Sequence, residues 1–105
     1  MMVNELSSTQ RIVKAIQSIP AGKVSSYRDI ALAAGFRNGA RQTVRVLHSL
    51  SQKEHLPWHR VIKADGHIAL PCGGGRELQI ALLRSEGVEV SEQGVVDMQR
   101  YGWGA

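Results

Sequence analysis

Apolar residues recur every three or four positions near the start of the chain, which is the spacing of one face of a helix. The apolar positions of this stretch are Ile12, Val13, Ile16 and Ile19. Ser8 or Thr9 can cap the N-terminus, because a side-chain hydroxyl accepts from the free N–H groups of a first turn. The pattern predicts a helix that runs to about Ser18 and is ended by residues 20–22, Pro-Ala-Gly.

Two more helices are predicted in the next thirty residues. In the first, Ser25-Ser26 provides the N-cap and Gly35 the C-terminal stop, and its apolar positions are Tyr27, Ile30, Ala31 and Ala34. After a turn at Asn38-Gly39, the second runs from Ala40 to about Leu50. We expect its buried face to contain Ala40, Val44 and Leu47. The opposite, exposed face would contain Arg41, Arg45 and His48.

The pattern changes in the second half of the chain. Val61-Ile62 and His67-Ile68 flank Asp65-Gly66, which indicates a short hairpin or a loop. Residues 71–75 form a loop, and a helix is predicted over 76–86 with Leu78, Ala81 and Leu82 turned inward. Weak alternation over 88–98 predicts a terminal hairpin, and we expect the tail from Gln99 to be loosely held.

Composition limits the chain to one globular domain, residues 1–105, that is mostly α with short β elements. Only 105 residues with 43% hydrophobic content are available for a core. No apolar run approaches the roughly 20 residues that span a bilayer, and the first ten residues do not resemble a signal peptide. The single cysteine, Cys72, cannot form an internal disulfide. We therefore expect a cytoplasmic protein without a membrane partner.

Positive charge is concentrated in the first half of the chain. Residues 1–60 carry nine Lys/Arg against three Asp/Glu, whereas residues 61–105 carry four against six. A basic half that contains two short helices and a glycine turn is typical of a helix-turn-helix bound to a polyanion such as DNA. An αα-hairpin whose arginines only face solvent fits this pattern equally well.

Four ordered blocks together resemble a known family over roughly Ile12 to Val90. The blocks are IPAGKVSSYRDIA, GARQTVRVL, LPWHRVIKADG and LLRSEGV. They resemble the DNA-binding, active-site domain of the O6-alkylguanine-DNA alkyltransferases. The resemblance implies a winged helix-turn-helix-like domain of the alkyltransferase C-terminal type, and a helix placed in the DNA minor groove.

The third block departs from the alkyltransferase motif Pro-Cys-His-Arg, whose cysteine accepts the alkyl group. Trp58 stands at the cysteine position. An indole has no ionisable nucleophile, so alkyl transfer cannot take place there. The sequence in this respect resembles the alkyltransferase-like proteins, which bind the lesion without repairing it. The resemblance therefore implies a binding protein and no enzyme.

The resemblance also assigns roles to residues of the matching motifs. Tyr27 would press on the target nucleotide and Arg41 would fill the stack that the flipped base leaves, while Arg45 and Lys23 are expected to contact phosphates. The lesion pocket would be formed by Tyr27, Trp58, His59, Pro71, Cys72 and Gly73. Glu86 would hold His59 by a hydrogen bond in a structural network. Two segments depart from the enzymes: Pro71-Cys72 replaces a Tyr-Ser pair, and Leu50 or its neighbours replace an asparagine.

The implied partners are duplex DNA that contains O6-alkylguanine and the damage-recognition proteins of nucleotide excision repair. A monomer without cofactor or metal is expected. Three alternatives are weighed against this hypothesis. Cys72 as a displaced nucleophile lacks a neighbouring base, and a sequence-reading regulator would leave the pocket motif unused. The spacing of His55, His59, His67 and Cys72 matches no common zinc pattern.

Overall fold

The computed structural model describes residues 7–103, which form a mostly helical structure with one very small sheet. The five α-helices of this part are α1 (Ser8–Gln17), α2 (Tyr27–Ala33), α3 (Ala40–Leu50), α4 (Arg76–Ser85) and α5 (Met98–Tyr101). A 3₁₀ helix spans Trp58–Arg60, and the two strands are β1 (Ser25–Ser26) and β2 (Val61–Ile62). The predicted fold class, mostly α with short β elements, is confirmed. Within residues 7–103 no helix is long and apolar enough to cross a membrane.

The N-cap of helix α1 lies one position before the residues predicted to cap it. Ser7 is the N-cap: its side chain accepts from the backbone N–H of Gln10, and the Gln10 side chain accepts from the backbone N–H of Ser7. This reciprocal pair satisfies two donors that a cap at Ser8 or Thr9 would leave open. The prediction of Ser8 or Thr9 is therefore wrong, whereas the apolar stripe of Ile12 and Ile16 is buried as expected.

The sheet is a parallel pair between segments far apart in the chain. Ser25 pairs with Val61 and Ser26 with Ile62. A hairpin around Asp65-Gly66 would pair Val61-Ile62 with His67-Ile68. This prediction is wrong, because Val61-Ile62 pair with β1. His67 instead forms an antiparallel bridge with Val95, and Asp65-Gly66 lies in a tight turn closed by Lys63 and His67.

The bounds predicted for α3 are confirmed, but its buried face is not the predicted one. Thr43 and Val46 are buried, whereas Val44 is 43% exposed. The polar Thr43 is stable inside because its hydroxyl donates to the backbone carbonyl of Tyr27 at 3.0 Å. Thr43 therefore faces inward, and Val44, which the apolar pattern had predicted to be buried, lies on the surface.

Helix α4 is also rotated relative to the prediction. Gln79 and Leu83 face inward, while Ala81 is exposed and Leu78 is 56% exposed. The Gln79 amide reaches the backbone carbonyls of His59 and Val61, so a polar residue takes a position that the pattern gave to leucine. The prediction that Leu78 and Ala81 face the core is therefore wrong.

The C-terminal segment is anchored to the core. The backbone N–H of Val24 donates to the carbonyl of Tyr101 at 2.9 Å, and that of Trp103 donates to the carbonyl of Val24 at 2.8 Å. Tyr101 is buried. The expectation of a loosely held tail is thus wrong through Trp103, and residues 104–105 lie outside the described part. In place of the terminal hairpin predicted over 88–98, residues 91–95 form a turn.

The core consists of two clusters that meet at the small sheet. The first lies among α1, α2 and α3, and the second among α4, α5 and the segments that flank them. Successive strand residues point to opposite faces, so Val61 packs in the first cluster and Ile62 in the second. Strand β2 therefore fixes the 3₁₀ helix, which precedes it directly, between the two clusters.

Candidate nucleic-acid interface

A cavity of about 510 Å³ lies between α3, the 3₁₀ helix and the start of α2. Tyr27 and Trp58 both line it, although 31 positions separate them in the chain. Its other lining residues are Val44, Leu47, His48, Ser51, Val61, Ala69, Leu70 and Gln79. The walls are mostly apolar with a few polar groups, and the volume lies within the range of roughly 300–1,000 Å³ found for ligand sites.

Trp58 separates this cavity from a second, larger groove of about 830 Å³. Trp58 and Ser51 line both spaces, and the groove also contains His55, His59 and Arg60. Pro57 precedes Trp58, and the backbone N–H of Trp58 donates to the backbone carbonyl of Leu56 at 2.8 Å. Trp58 therefore lines both the mostly apolar cavity and the groove that contains His59 and Arg60.

The residues after Trp58 are held by one carboxylate. Glu86 accepts from the Nε2–H of His59 at 2.9 Å, and Arg60 donates to it through Nε at 3.0 Å and through Nη2 at 2.6 Å. The ionised carboxylate is an acceptor only, which places the histidine proton on Nε2. Arg60 also donates from Nη1 to the carbonyl of Ile19 at 2.8 Å, so the network joins three parts of the chain.

Gly22 brings the loop after α1 into this network. Its backbone N–H lies 3.4 Å from Glu86 Oε1, and its φ of +89° is a conformation that residues with a Cβ rarely adopt. The Arg60 guanidinium, helped by His59 and Gly22, lowers the pKa of Glu86 to about 2. Glu86 is therefore ionised at neutral pH. Burial raises the pKa of the Tyr27 phenol, which keeps that hydroxyl protonated.

The structure brings together only some of the residues predicted for the pocket. Tyr27 and Trp58 share the 510 Å³ cavity, whereas His59 lines the larger groove beyond the indole. Pro71, Cys72 and Gly73 are exposed, and the adjacent wall of the cavity is formed by Ala69 and Leu70. Their loop is fixed to α4 by the N–H of Gly73, which donates to Glu77 at 3.1 Å. The contact of these three residues with a lesion stays a prediction.

The basic residues predicted to contact DNA occupy two places. Arg41 and Arg45 are exposed one helical turn apart on α3, and His48 on the same face lines the cavity. Lys23 is half-buried, with its ammonium 3.4 Å from the carbonyl of Arg100. Helix α3 therefore leads from two exposed guanidinium groups directly to the mouth of the cavity.

Several lining residues were missed by the sequence interpretation. They are Val44, Leu47, Ser51, Leu70 and Gln79. Val44 and Leu47 had been placed in the core, because periodicity alone does not distinguish a core face from a cavity face. Within residues 7–103 no group of three or more His, Cys, Asp or Glu side chains comes together in a way that could hold a metal ion.

Comparison with known proteins agrees with this architecture. Residues 7–88 match the family model for the DNA-binding domain of 6-O-methylguanine DNA methyltransferase. The alkyltransferase-like protein 1 of Schizosaccharomyces pombe is 34% identical over 98 residues, which cover 89% of this chain and 91% of that protein. The chain belongs to the alkyltransferase-like family. The DNA base-flipping protein of Escherichia coli (strain K12) is 42% identical over 102 residues, covering 97% of this chain and 78% of that protein.

Solved structures of alkyltransferase-like proteins share the fold. The S. pombe protein in complex with damaged DNA containing O6-carboxymethylguanine superposes with a TM-score of 0.83 at 32% identity, covering 93% of this chain and 95% of that one. Helices α2 and α3, with the turn between them, accordingly form the helix-turn-helix of the family's DNA-binding domain. The predicted resemblance to this family is confirmed.

Proposed function

We propose that this alkyltransferase-like protein recognises damaged DNA by binding duplex DNA in the minor groove and flipping an O6-alkylated guanine out of the helix. The flipped base would be held in the 510 Å³ cavity between Tyr27 and Trp58. The observation that carries the proposal is the position of this cavity at the end of α3, beside an exposed basic face that suits phosphates. The damaged-DNA complex of the S. pombe relative supports the choice of ligand.

The residues on the two sides of the cavity suggest how the base is moved. Tyr27 begins α2 and would press on the backbone of the target nucleotide, while Arg41 would enter the gap from α3. Unstacking a base costs a few kcal/mol, and a side chain that stacks in the vacancy offsets part of that cost. Arg45 and Lys23 would hold phosphates on either side, which fixes the register without reading sequence.

Affinity for matched duplexes tests this function directly. We expect tighter binding to a duplex with one O6-methylguanine than to the same duplex with guanine, measured by fluorescence anisotropy at fixed salt. A series from methyl to bulky alkyl adducts would then give the preferred lesion. Equal affinity for damaged and undamaged duplex would contradict the proposal and favour a helix-turn-helix regulator that has no lesion preference.

The proposal includes no alkyl transfer, because Trp58 stands where a nucleophile would be required. Cys72 is exposed in the glycine loop and is not among the residues that line the cavity. Intact-mass spectrometry after incubation with excess O6-methylguanine duplex tests both residues together. The mass should stay unchanged, and an added methyl group would show that the protein is an enzyme.

We predict that Trp58→Cys does not by itself create an efficient alkyltransferase. In the turn before the motif, Leu50 or its neighbours stand where the enzymes have an asparagine. The loop at Pro71–Gly73 also differs from the enzymes that the chain resembles. The single-turnover rate of methyl transfer, followed by intact mass, should remain far below that of a true alkyltransferase measured in parallel. Rapid stoichiometric transfer would show that the indole alone prevents the reaction.

A protein that binds a lesion without removing it requires a second activity. We propose that the bound complex recruits the damage-recognition proteins of nucleotide excision repair, and that the chain acts in the cytoplasm as a single-domain monomer. Incision of an O6-alkylguanine duplex by a reconstituted excision system, with and without this protein, tests the recruitment. Unchanged incision at saturating protein would contradict it. Sedimentation of the free protein would show whether it is monomeric.

A further inference from the structure

A separate pocket of about 450 Å³ lies between α1, the end of α2 and Trp103. In the described part of the chain, it shares no lining residue with the 510 Å³ cavity or with the groove beside Trp58. Ala33 and the half-buried Trp103 belong to its mostly apolar wall. Arg11 and Lys14 also line it, and both are exposed on the same side of α1. The pocket therefore combines an apolar wall with two cationic side chains.

The positive charge of this pocket is not balanced by a neighbouring acid. Among residues 7–103, no Asp or Glu lines the pocket, and neither Arg11 nor Lys14 takes part in an ion pair. Arg11 Nη1 lies 3.8 Å from the position that a Cβ on Gly35 would occupy, which places the guanidinium beside another residue of the pocket wall. Two neighbouring cations of this kind attract an anionic ligand.

The position of α1 favours an anion other than the bound duplex. Ile12 and Ile16 of α1 and Val46 of α3 belong to one buried cluster, so α1 packs against the buried side of α3. The exposed side of α3 carries Arg41 and Arg45, which are proposed to contact DNA. A duplex bound to that side would leave the exposed surface of α1 uncovered. The pocket would then stay accessible to a second macromolecule.

We infer that this pocket docks an acidic segment of a partner protein, with an apolar side chain of that segment packed against Trp103. The inference rests on the proposed function, in which the DNA-bound protein recruits a second protein. Carboxylates on either side of the apolar residue would pair with Arg11 and Lys14, and this charge complementarity would orient the segment. Tryptophan and arginine are among the residue types that most often anchor protein interfaces.

A peptide of defined composition tests the pocket. The probe is a fluorescein-labelled peptide in which two leucines are flanked on each side by four Asp or Glu residues. One comparison peptide has Asn and Gln in place of the acids, and another has Ser in place of the leucines. Fluorescence anisotropy with the full chain should show the tightest binding for the first peptide. Arg11→Gln/Lys14→Gln should weaken this binding by roughly 5- to 30-fold, the combined effect of two partly exposed ion pairs.

Lys53→Gln/Lys63→Gln is the matched control. Both lysines are exposed and lie outside the pocket, and the double substitution changes the net charge by the same amount. Its affinity for the acidic peptide should stay within roughly 2-fold of the wild type, because distant exposed charges are screened by salt. Ala33→Glu is a second test of the pocket. It places a carboxylate at an exposed position of the wall, which should repel the acidic peptide.

Three results would overturn the inference. One is a wild type that binds the acidic peptide no better than the neutral one. Another is an equal loss of peptide affinity in both double variants, which would indicate attraction by net charge alone. The third is displacement of the peptide by a saturating O6-methylguanine duplex, which would assign the pocket to the DNA-binding surface. None of these results affects lesion recognition if the wild type still prefers O6-methylguanine over guanine. Absence of that preference would instead contradict the proposed function itself.

Discussion

Arg41→Ala is expected to reduce affinity for duplex DNA by roughly 10- to 100-fold, with or without a lesion. The loss corresponds to the few kcal/mol that unstacking a base costs and that the inserted side chain no longer offsets. Flipping is required with both duplexes, although it costs less for a damaged base whose pairing is weakened, so both affinities should fall. Fluorescence of 2-aminopurine beside the target base, which rises on unstacking, should also fall in the complex. Titration of both duplexes measures these effects.

Arg45→Ala is the matched control for Arg41→Ala. It removes the same kind of side chain from an exposed position one turn further along α3. If Arg45 contacts phosphate, its loss should weaken binding to all duplexes by a few-fold and lower the salt slope by roughly 1. Arg45→Ala should leave the 2-aminopurine signal intact at saturation. Normal binding and undiminished unstacking with Arg41→Ala would show that Arg41 is an ordinary solvated residue.

Glu86→Gln is expected to lower the free energy of unfolding by about 2–4 kcal/mol at pH 7, which corresponds to roughly 10–20 °C in Tm. The substitution keeps the shape but removes the charge that binds Arg60 and His59. Arg60 is 18% exposed and would keep its charge without a counter-ion. Losing one partner of a partly buried pair costs more than losing an exposed pair. Thermal and urea denaturation measure the difference.

The same interaction predicts how this difference depends on pH. Glu86 has its pKa lowered from 4.5 to about 2 by Arg60 and its other partners. The stabilisation from Glu86 is therefore complete above about pH 4.5 and is lost as the pH falls towards about 2, because the native carboxylate is then protonated. The wild type and Glu86→Gln should converge in stability over this range.

Glu89→Gln is the control for Glu86→Gln, because it removes an exposed salt bridge to Arg100 in which the side chains are 76% and 60% exposed. Such pairs contribute roughly 0–1 kcal/mol, so the control should differ little from the wild type at pH 7. A Glu86→Gln protein as stable as the control would mean that the network around Glu86 does not hold the 3₁₀ helix in place.

The sequence alone determined the elements that depend on neighbouring residues. The starts of α2 and α3, the ends of the first three helices to within a residue, and the loop at 71–75 follow from caps, glycines and the spacing of apolar residues. These signals act within a turn or two of helix, so they can be recognised along the chain. The four motifs also identified the family, because their order and spacing are properties of the sequence.

Rotation of the helices was decided by contacts that the sequence pattern does not contain. Thr43 and Gln79 face inward because backbone carbonyls of Tyr27, His59 and Val61 accept from them. The apolar pattern does not include either of these polar residues among the buried positions. A buried polar side chain is stable once its hydrogen bonds are made, and only the folded chain shows which partners are within reach.

The candidate site shows the same division. The sequence singled out Tyr27, Arg41 and Trp58 by their motifs, and it correctly expected Arg41 and Arg45 to be exposed. The resemblance had already placed Tyr27 and Trp58 in one pocket, and both line the same cavity. Only the tertiary structure showed that His59 lines the groove on the other side of Trp58 and that Gln79 belongs to the cavity wall. The pairing of β1 with β2 joins residues 36 positions apart, as Ser25 and Val61 are. Local periodicity carries no information about such a contact, because its partner is chosen by the packing of the whole chain.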